Sequence, residues 1–273
     1  MILIQKKETP AHIWNAAQKV QQSDNWVSYT SRDCFEELCK ICGGKNVIRQ
    51  ALLEEQRYLC AYCMRRIENI EDAADDKFTK IEHYVPCSVD KDKSVDFQNF
   101  FAVCTGGSKP KWARLGISED DNIIECCEAV RPEREELKID PRNKEMMKYI
   151  VYASNGRIDF APPADYDAET AQKIKENINK DLLLNGILKG EEGKEQVVAD
   201  TTTRLLYNRR GSYQAIWRNL DRLYRQGKLT IKVIERRIEE INNQEKMEPF
   251  AGVKLFVLHK AYNHLLCIDR NRT

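Results

Sequence analysis

The sequence predicts an α+β fold: a small cysteine-framed core of short strands surrounded by helices, followed by a mainly helical C-terminal region. Three features point there. Nine of the ten cysteines fall between residues 34 and 127. Two short apolar runs, 80–86 and 97–103, lie inside that window and have the length of strands. Beyond residue 160 apolar residues recur at helical spacing.

Taken in order, residues 11–21 read as a short helix, with Ile13, Trp14 and Ala17 on one face. Gly43-Gly44 breaks the chain, and Asn46 is placed to cap a helix over 47–57, whose Val47, Ile48, Ala51 and Leu52 share a stripe. Leu59-Cys60-Ala61-Tyr62-Cys63 reads as a knuckle-like turn, and the acidic stretch 69–77 as a loop. The run 80–86 alternates and stops at Pro86, a strand signal. A long loop over 105–121 follows the second run. A helix around 144–152 precedes Asn155-Gly156, a strong turn pair. After the connector Ala161-Pro162-Pro163 everything reads as helix. Tyr213, Ile216, Trp217, Leu220 and Tyr224 form one stripe, Ile234, Ile238 and Ile241 another, and Leu255, Phe256, Leu258, Tyr262 and Leu265 a last one. The expected organisation is an N-terminal segment 1–45, a core 46–160 and a helical region 161–273 that packs on the core or forms its own unit.

The chain has 273 residues and is 42% hydrophobic, enough for a real core. Its 44 basic and 43 acidic side chains nearly cancel, so net charge implies no polyanionic partner. Any nucleic-acid contact has to come from a local patch. No apolar run approaches the roughly 18–20 residues of a membrane helix, and the polar turn at Gln5-Lys6-Lys7 is unlike a signal peptide. The expectation is a cytoplasmic protein without a membrane segment, whose clustered thiols bind metal rather than form disulfides.

Two Cys-x-x-Cys pairs, Cys39/Cys42 and Cys60/Cys63, have the spacing that aims two thiolates at one tetrahedral zinc. Three arrangements are open. The two pairs can join as a zinc ribbon. Cys60/Cys63 can instead join Cys104 and either Cys126 or Cys127. The thiols can also be plain buried residues. Cys34, Cys87 and Cys267 read as structural. Inside the frame, Glu82-His83 sits on the first strand. A neutral imidazole can take a proton from water, and a carboxylate can hold a hard cation such as Mg²⁺. Together they suit water activation at a phosphodiester. Asn99, at the head of the second run, can ligate that cation or brace the loop between the strands. A lone Glu-His pair is weak evidence, and its place inside the cysteine frame is what raises it. His259 and His264, in the last helix, read as structural.

The order Gln56, Cys60-Ala61-Tyr62-Cys63, Ile81-Glu82-His83-Tyr84-Val85-Pro86, Asn99-Phe100-Phe101-Ala102-Val103-Cys104, Cys126-Cys127-Glu128 and Asp140-Pro141 resembles the HNH endonucleases of prokaryotic anti-phage systems, the retron-associated or Septu-type, PtuB-like nucleases. The resemblance is densest over 45–160 and continues weakly through Leu184-Asn185 and Pro249-Phe250-Ala251-Gly252-Val253. It implies a ββα-metal core with His83 as general base, Glu82 as a metal ligand and Asn99 at the middle HNH position. It also implies structural Zn²⁺ on Cys60, Cys63, Cys104 and Cys127, with Cys126 the alternate, and a catalytic Mg²⁺ or Mn²⁺ that Glu128 helps to hold. As partners it implies an ABC/SMC-like ATPase subunit (PtuA-like) and, in some systems, a retron reverse transcriptase with its DNA. The double cysteine and the extra Cys39/Cys42 pair depart from the pattern, and Arg131 stands where relatives often carry Lys.

Nucleic-acid contacts are expected from Lys109, Lys111 and Arg114, which flank Trp112, and from Arg131 near Arg134; the competing reading is a solvated loop. The dense Arg204, Arg209, Arg210, Arg218, Arg222 and Arg225 read as a partner-binding or solvated face. Two rival functions stand beside the nuclease: a zinc-stabilised nucleic-acid- or protein-binding module without catalysis, and a helical scaffold with a vestigial HNH part.

Overall fold

The computed structural model describes residues 1–68, 79–106, 126–132, 136–186, 188–189, 196–197 and 204–270. The expected loop over 69–77, and all of the expected 105–121 loop beyond Gly106, lie outside the described residues. At the N-terminus come α1 (Ala11–Gln21), α2 (Ser31–Ile41) and α3 (Lys45–Glu55). α2 starts at a full capping box, in which Thr30 accepts from the Asp33 backbone and Asp33 accepts from the Thr30 backbone. α3 begins after Gly44, whose φ of 117° is open to glycine and strained for other residues. Asn46 is therefore inside the helix, where its side chain accepts from Arg49 at 2.6 Å.

These helices pack around an antiparallel hairpin of β1 (Lys80–His83) and β2 (Phe100–Val103), with Lys80 opposite Val103 and His83 opposite Phe100. All four residues of β2 are buried. Gln56 fixes β2 to the preceding turn. Its amide accepts from Ala102 N at 2.7 Å and donates to Ala102 O at 2.7 Å and Leu59 O at 2.9 Å. The first residues run along the hairpin's flank, where buried Lys6 pairs with Glu55 at 2.6 Å and donates to Phe100 O at 3.0 Å.

Further on, α4 (Lys144–Met147) is short, and residues expected to continue it form β3 (Ile150–Tyr152) instead, paired with β4 (Ile158–Phe160). The β-branched and aromatic residues before Asn155-Gly156 favour the hairpin over the helix. α5 (Ala168–Glu176) follows, then a two-residue antiparallel ribbon, β5 (Leu188–Lys189) and β6 (Gln196–Val197), in a stretch expected to be all helix. α6 (Arg204–Arg225), α7 (Ile231–Asn242) and α8 (Ala251–Arg270) complete the chain, with α8 packed on both α6 and α7.

The segment joining α7 to α8 bonds directly to the cysteine turn. Met247 N donates to Arg57 O at 3.1 Å, Phe250 N to Met64 O at 3.0 Å, and Arg66 to Met247 O at 2.6 Å. A Cβ on Gly252 would meet Met64 Sδ at 2.6 Å, so this helix approaches closely only because glycine stands there. No helix among the described residues is long and apolar enough to cross a membrane.

Candidate metal centre and hairpin site

Four thiols converge from three places in the chain. Cys60 and Cys63 sit on a tight turn closed by Cys60 N to Arg65 O at 2.9 Å and by a bridge between Leu59 and Arg66. Met64, with φ of 61°, reverses the chain just after Cys63. Cys104 follows β2. Cys127 begins a 3₁₀ turn, Cys127–Ala129, and its φ of 60° is unusual for a non-glycine residue. That turn returns to the hairpin because Gly106 lets the backbones touch. Cys126 N donates to Gly106 O at 3.0 Å, and a Cβ on Gly106 would lie 2.4 Å from Cys126 O.

The ligand atoms of Cys60, Cys63, Cys104 and Cys127 all lie within 4.8 Å of one another, and all four residues are buried. Cys63 to Cys104 is 3.6 Å and Cys60 to Cys127 is 4.0 Å. A tetrahedral zinc with Zn–S of about 2.3 Å needs sulfurs about 3.8 Å apart, so the cluster fits a structural zinc. Among the described residues it is the one group of three or more metal-capable side chains within such reach. Of the two zinc groupings the sequence left open, the geometry matches the one that joins Cys60 and Cys63 to Cys104 and Cys127. Cys39 and Cys42 stay outside the cluster, and burial pushes the Cys39 thiol up to about 12. Cys126 is not one of the four, although its thiol adjoins them, 3.7 Å from Cys127 Sγ and 3.5 Å from Gly106 O.

Two arginines lie near the thiols: Arg65, which the sequence did not single out, and Arg209, which it placed on a partner-binding or solvated face. Arg209 is 1% exposed and belongs to the interior rather than to an arginine face. It donates to Gly156 O at 2.7 Å and to Asn185 Oδ1 at 3.3 Å, and it also reaches Leu184 O. Burial pulls its pKa down to about 10 against the opposing pull of Cys63, Cys126 and Cys127. Burial also works against Arg65, but the thiols of Cys63, Cys126, Cys104 and Cys127 outweigh it and raise its pKa. Four thiolates on a divalent ion would carry a net charge of −2, which these two cations would offset in a region of low dielectric.

The hairpin presents Glu82 and His83 to opposite faces, as adjacent strand residues must. Glu82 is 6% exposed. It accepts from Tyr62 Oη at 3.3 Å and pairs with Arg131, which also donates to His83 O at 3.0 Å and Tyr84 O at 2.6 Å. Arg131, expected at a nucleic-acid surface, has a side chain only 6% exposed and is locked to the strand end. His83 is half-buried, its ring edge-on to Phe35 and Phe100 at 4.7 Å each, with Nε2 3.4 Å from Ser94 O. Burial is the main cause that lowers its pKa to about 4, with Arg131 adding to the effect and the Ser94 carbonyl opposing it. The imidazole is therefore neutral at pH 7 and can accept a proton.

Asn99 is 2% exposed and closes the loop between the strands. Its carbonyl accepts from Val85 N at 2.8 Å, and its amide donates to Val85 O and Lys93 O at 3.0 Å each. Of the two roles open to it, bracing the loop is the one whose bonds are made.

For a catalytic divalent cation the described donors do not form a ready site. Glu82 is engaged by a guanidinium, and Asn99 is spent on the loop. Glu128 lies on the 3₁₀ turn, and its side chain is outside what is described. The long helix of a ββα unit is likewise absent among the described residues, as are Lys109, Lys111, Arg114 and Arg134. No known family model matches the chain, and no curated protein matches it.

Proposed function

We propose that the chain is an HNH-type endonuclease in which a structural zinc on Cys60, Cys63, Cys104 and Cys127 holds the hairpin and His83 acts as general base on phosphodiester bonds. The observation that carries this reading is the Asn99 clamp. It ties both ends of the loop that follows His83, so that a neutral imidazole is held at the mouth of a thiol-braced hairpin. Burial keeps the imidazole in the neutral form that a general base needs, while a pKa of about 4 lies below the near-neutral value at which a base takes a proton from water most effectively. Arg131, across the strand end, keeps the Glu82 carboxylate and the backbone carbonyls of His83 and Tyr84 in register. The resemblance adds Mg²⁺ or Mn²⁺ dependence, a role in anti-phage defence beside an ABC/SMC-like ATPase and, in some systems, a retron reverse transcriptase. These additions rest on the resemblance alone.

The test is cleavage of plasmid, single-stranded DNA and RNA, with and without Mg²⁺ or Mn²⁺, by wild type and by His83→Ala. Expected are cleavage by wild type and none by His83→Ala, with unchanged zinc content. Equal cleavage by the variant would remove His83 from the chemistry. A second reading, a zinc-stabilised binding module, is favoured by the Glu82–Arg131 pair, which occupies the carboxylate. It expects no cleavage under any ion.

A further inference from the structure

Helix α6 buries one side and leaves the other in solvent. The solvent side carries three large rings, Tyr207, Trp217 and Tyr224, at 72%, 54% and 68% exposure. Exposed Arg210, Arg218 and Arg222 stand on the same side. At about 100° per residue these six positions fall within one half of the helix circumference. Besides the buried Arg209, the helix holds five arginines and a single acidic residue, Asp221, which is paired with Arg225 at 2.9 Å. In a chain with a total charge of +1, that is a strong local concentration of positive charge.

The arrangement differs from a protein-docking patch. Such patches gather apolar residues into a contiguous centre and place charge at the rim. Here the rings are spaced along the axis, about 15 Å from Tyr207 to Trp217 and about 10 Å from Trp217 to Tyr224 at about 1.5 Å per residue. Arginines fill the intervals. Separate ring faces with cations between them suit a flexible chain of bases and phosphates. Bases stack on the rings while phosphates run past the guanidinium groups. The geometry points to α6 as a platform for single-stranded nucleic acid, separate from the hairpin site. The inference rests on this helix and stands whether or not the hairpin cleaves.

The experiment uses the full zinc-loaded chain carrying His83→Ala, so that binding is read without cleavage. Fluorescence anisotropy follows a labelled oligothymidylate and a labelled oligouridylate, each about 20 nucleotides long, enough to span the helix. The combined Arg210→Ala, Arg218→Ala and Arg222→Ala variant should bind at least about tenfold more weakly. Its slope of log affinity against log salt should fall by about 2, three contacts at about 0.7 each. Trp217→Ala should bind about tenfold more weakly with little change in slope. Circular dichroism of both variants should match the parent, since every changed side chain is exposed. Unchanged affinity and slope in the triple variant would overturn the proposal. So would equal displacement of the oligonucleotide by polyglutamate together with wild-type binding by Trp217→Ala, which would mark α6 as a surface for an acidic protein.

Discussion

At the residue scale, the hairpin's behaviour turns on three side chains. His83 is held neutral to about pH 4, against about 6.5 in an open chain. Between those values the unfolded chain binds a proton that the folded chain refuses. Stability is thus fully present above about 6.5, declines as pH falls toward 4 and is flat below. Urea midpoints measured from pH 7.5 to 4 should fall more steeply for wild type than for His83→Gln; parallel curves would contradict the burial of this ring. Arg131→Ala strands Glu82 without its main cationic partner, both side chains being under 10% exposed. The expected loss is about 3–5 kcal/mol in denaturant unfolding, whereas a surface arginine would cost about 0.5 kcal/mol or less. Asn99→Ala unties the loop, with a loss of about 2–3 kcal/mol from the unpaired Val85 and Lys93 backbone groups. The bracing role of Asn99 was one of the two the sequence offered, because its bonds stay within the loop between the strands, to Val85 and Lys93. Arg131 was not: it reads as a free basic residue until the fold brings in Glu82, 49 positions away. Arg209 hid for the same reason, since its burial depends on Gly156 and Leu184 arriving from elsewhere.

Among the elements, the cysteine turn and the 3₁₀ turn carry the most. The double cysteine makes a one-residue question of zinc binding, and Cys127, whose φ is 60°, is the one of the two whose thiol groups with Cys60, Cys63 and Cys104. Metal analysis should find about one zinc per chain in Cys126→Ser and Cys39→Ser, and a loss of it in Cys127→Ser and Cys104→Ser; zinc retained by Cys127→Ser would contradict the assignment. The short strands and α1 were readable from apolar patterning. α2 was missed because its inward face is Cys34, Leu38 and Cys39 among charged residues, a stripe that scarcely looks apolar, although the Thr30 and Asp33 capping box announced its start. β3 was taken for helix because Met146 to Tyr152 is too short an apolar run for periodicity to separate the two.

For the whole molecule, the thiol cluster is a junction rather than an ornament. It joins the turn before the hairpin, the residue just after its second strand and the segment that returns after residue 125, while the connection between α7 and α8 bonds to that same turn through Met247 and Phe250. A zinc bound here would couple binding to folding, as in zinc-finger peptides, where structural sites contribute about 10–16 kcal/mol. A strong chelator should lower the melting temperature of the entire chain in one cooperative step and not release the helical region as a stable remainder. The measurement that bears most directly on this account is zinc-edge X-ray absorption on the purified chain with a parallel metal count. The account expects one zinc per chain with four sulfur neighbours at about 2.3 Å. No bound zinc, or a first shell containing nitrogen or oxygen, would contradict it.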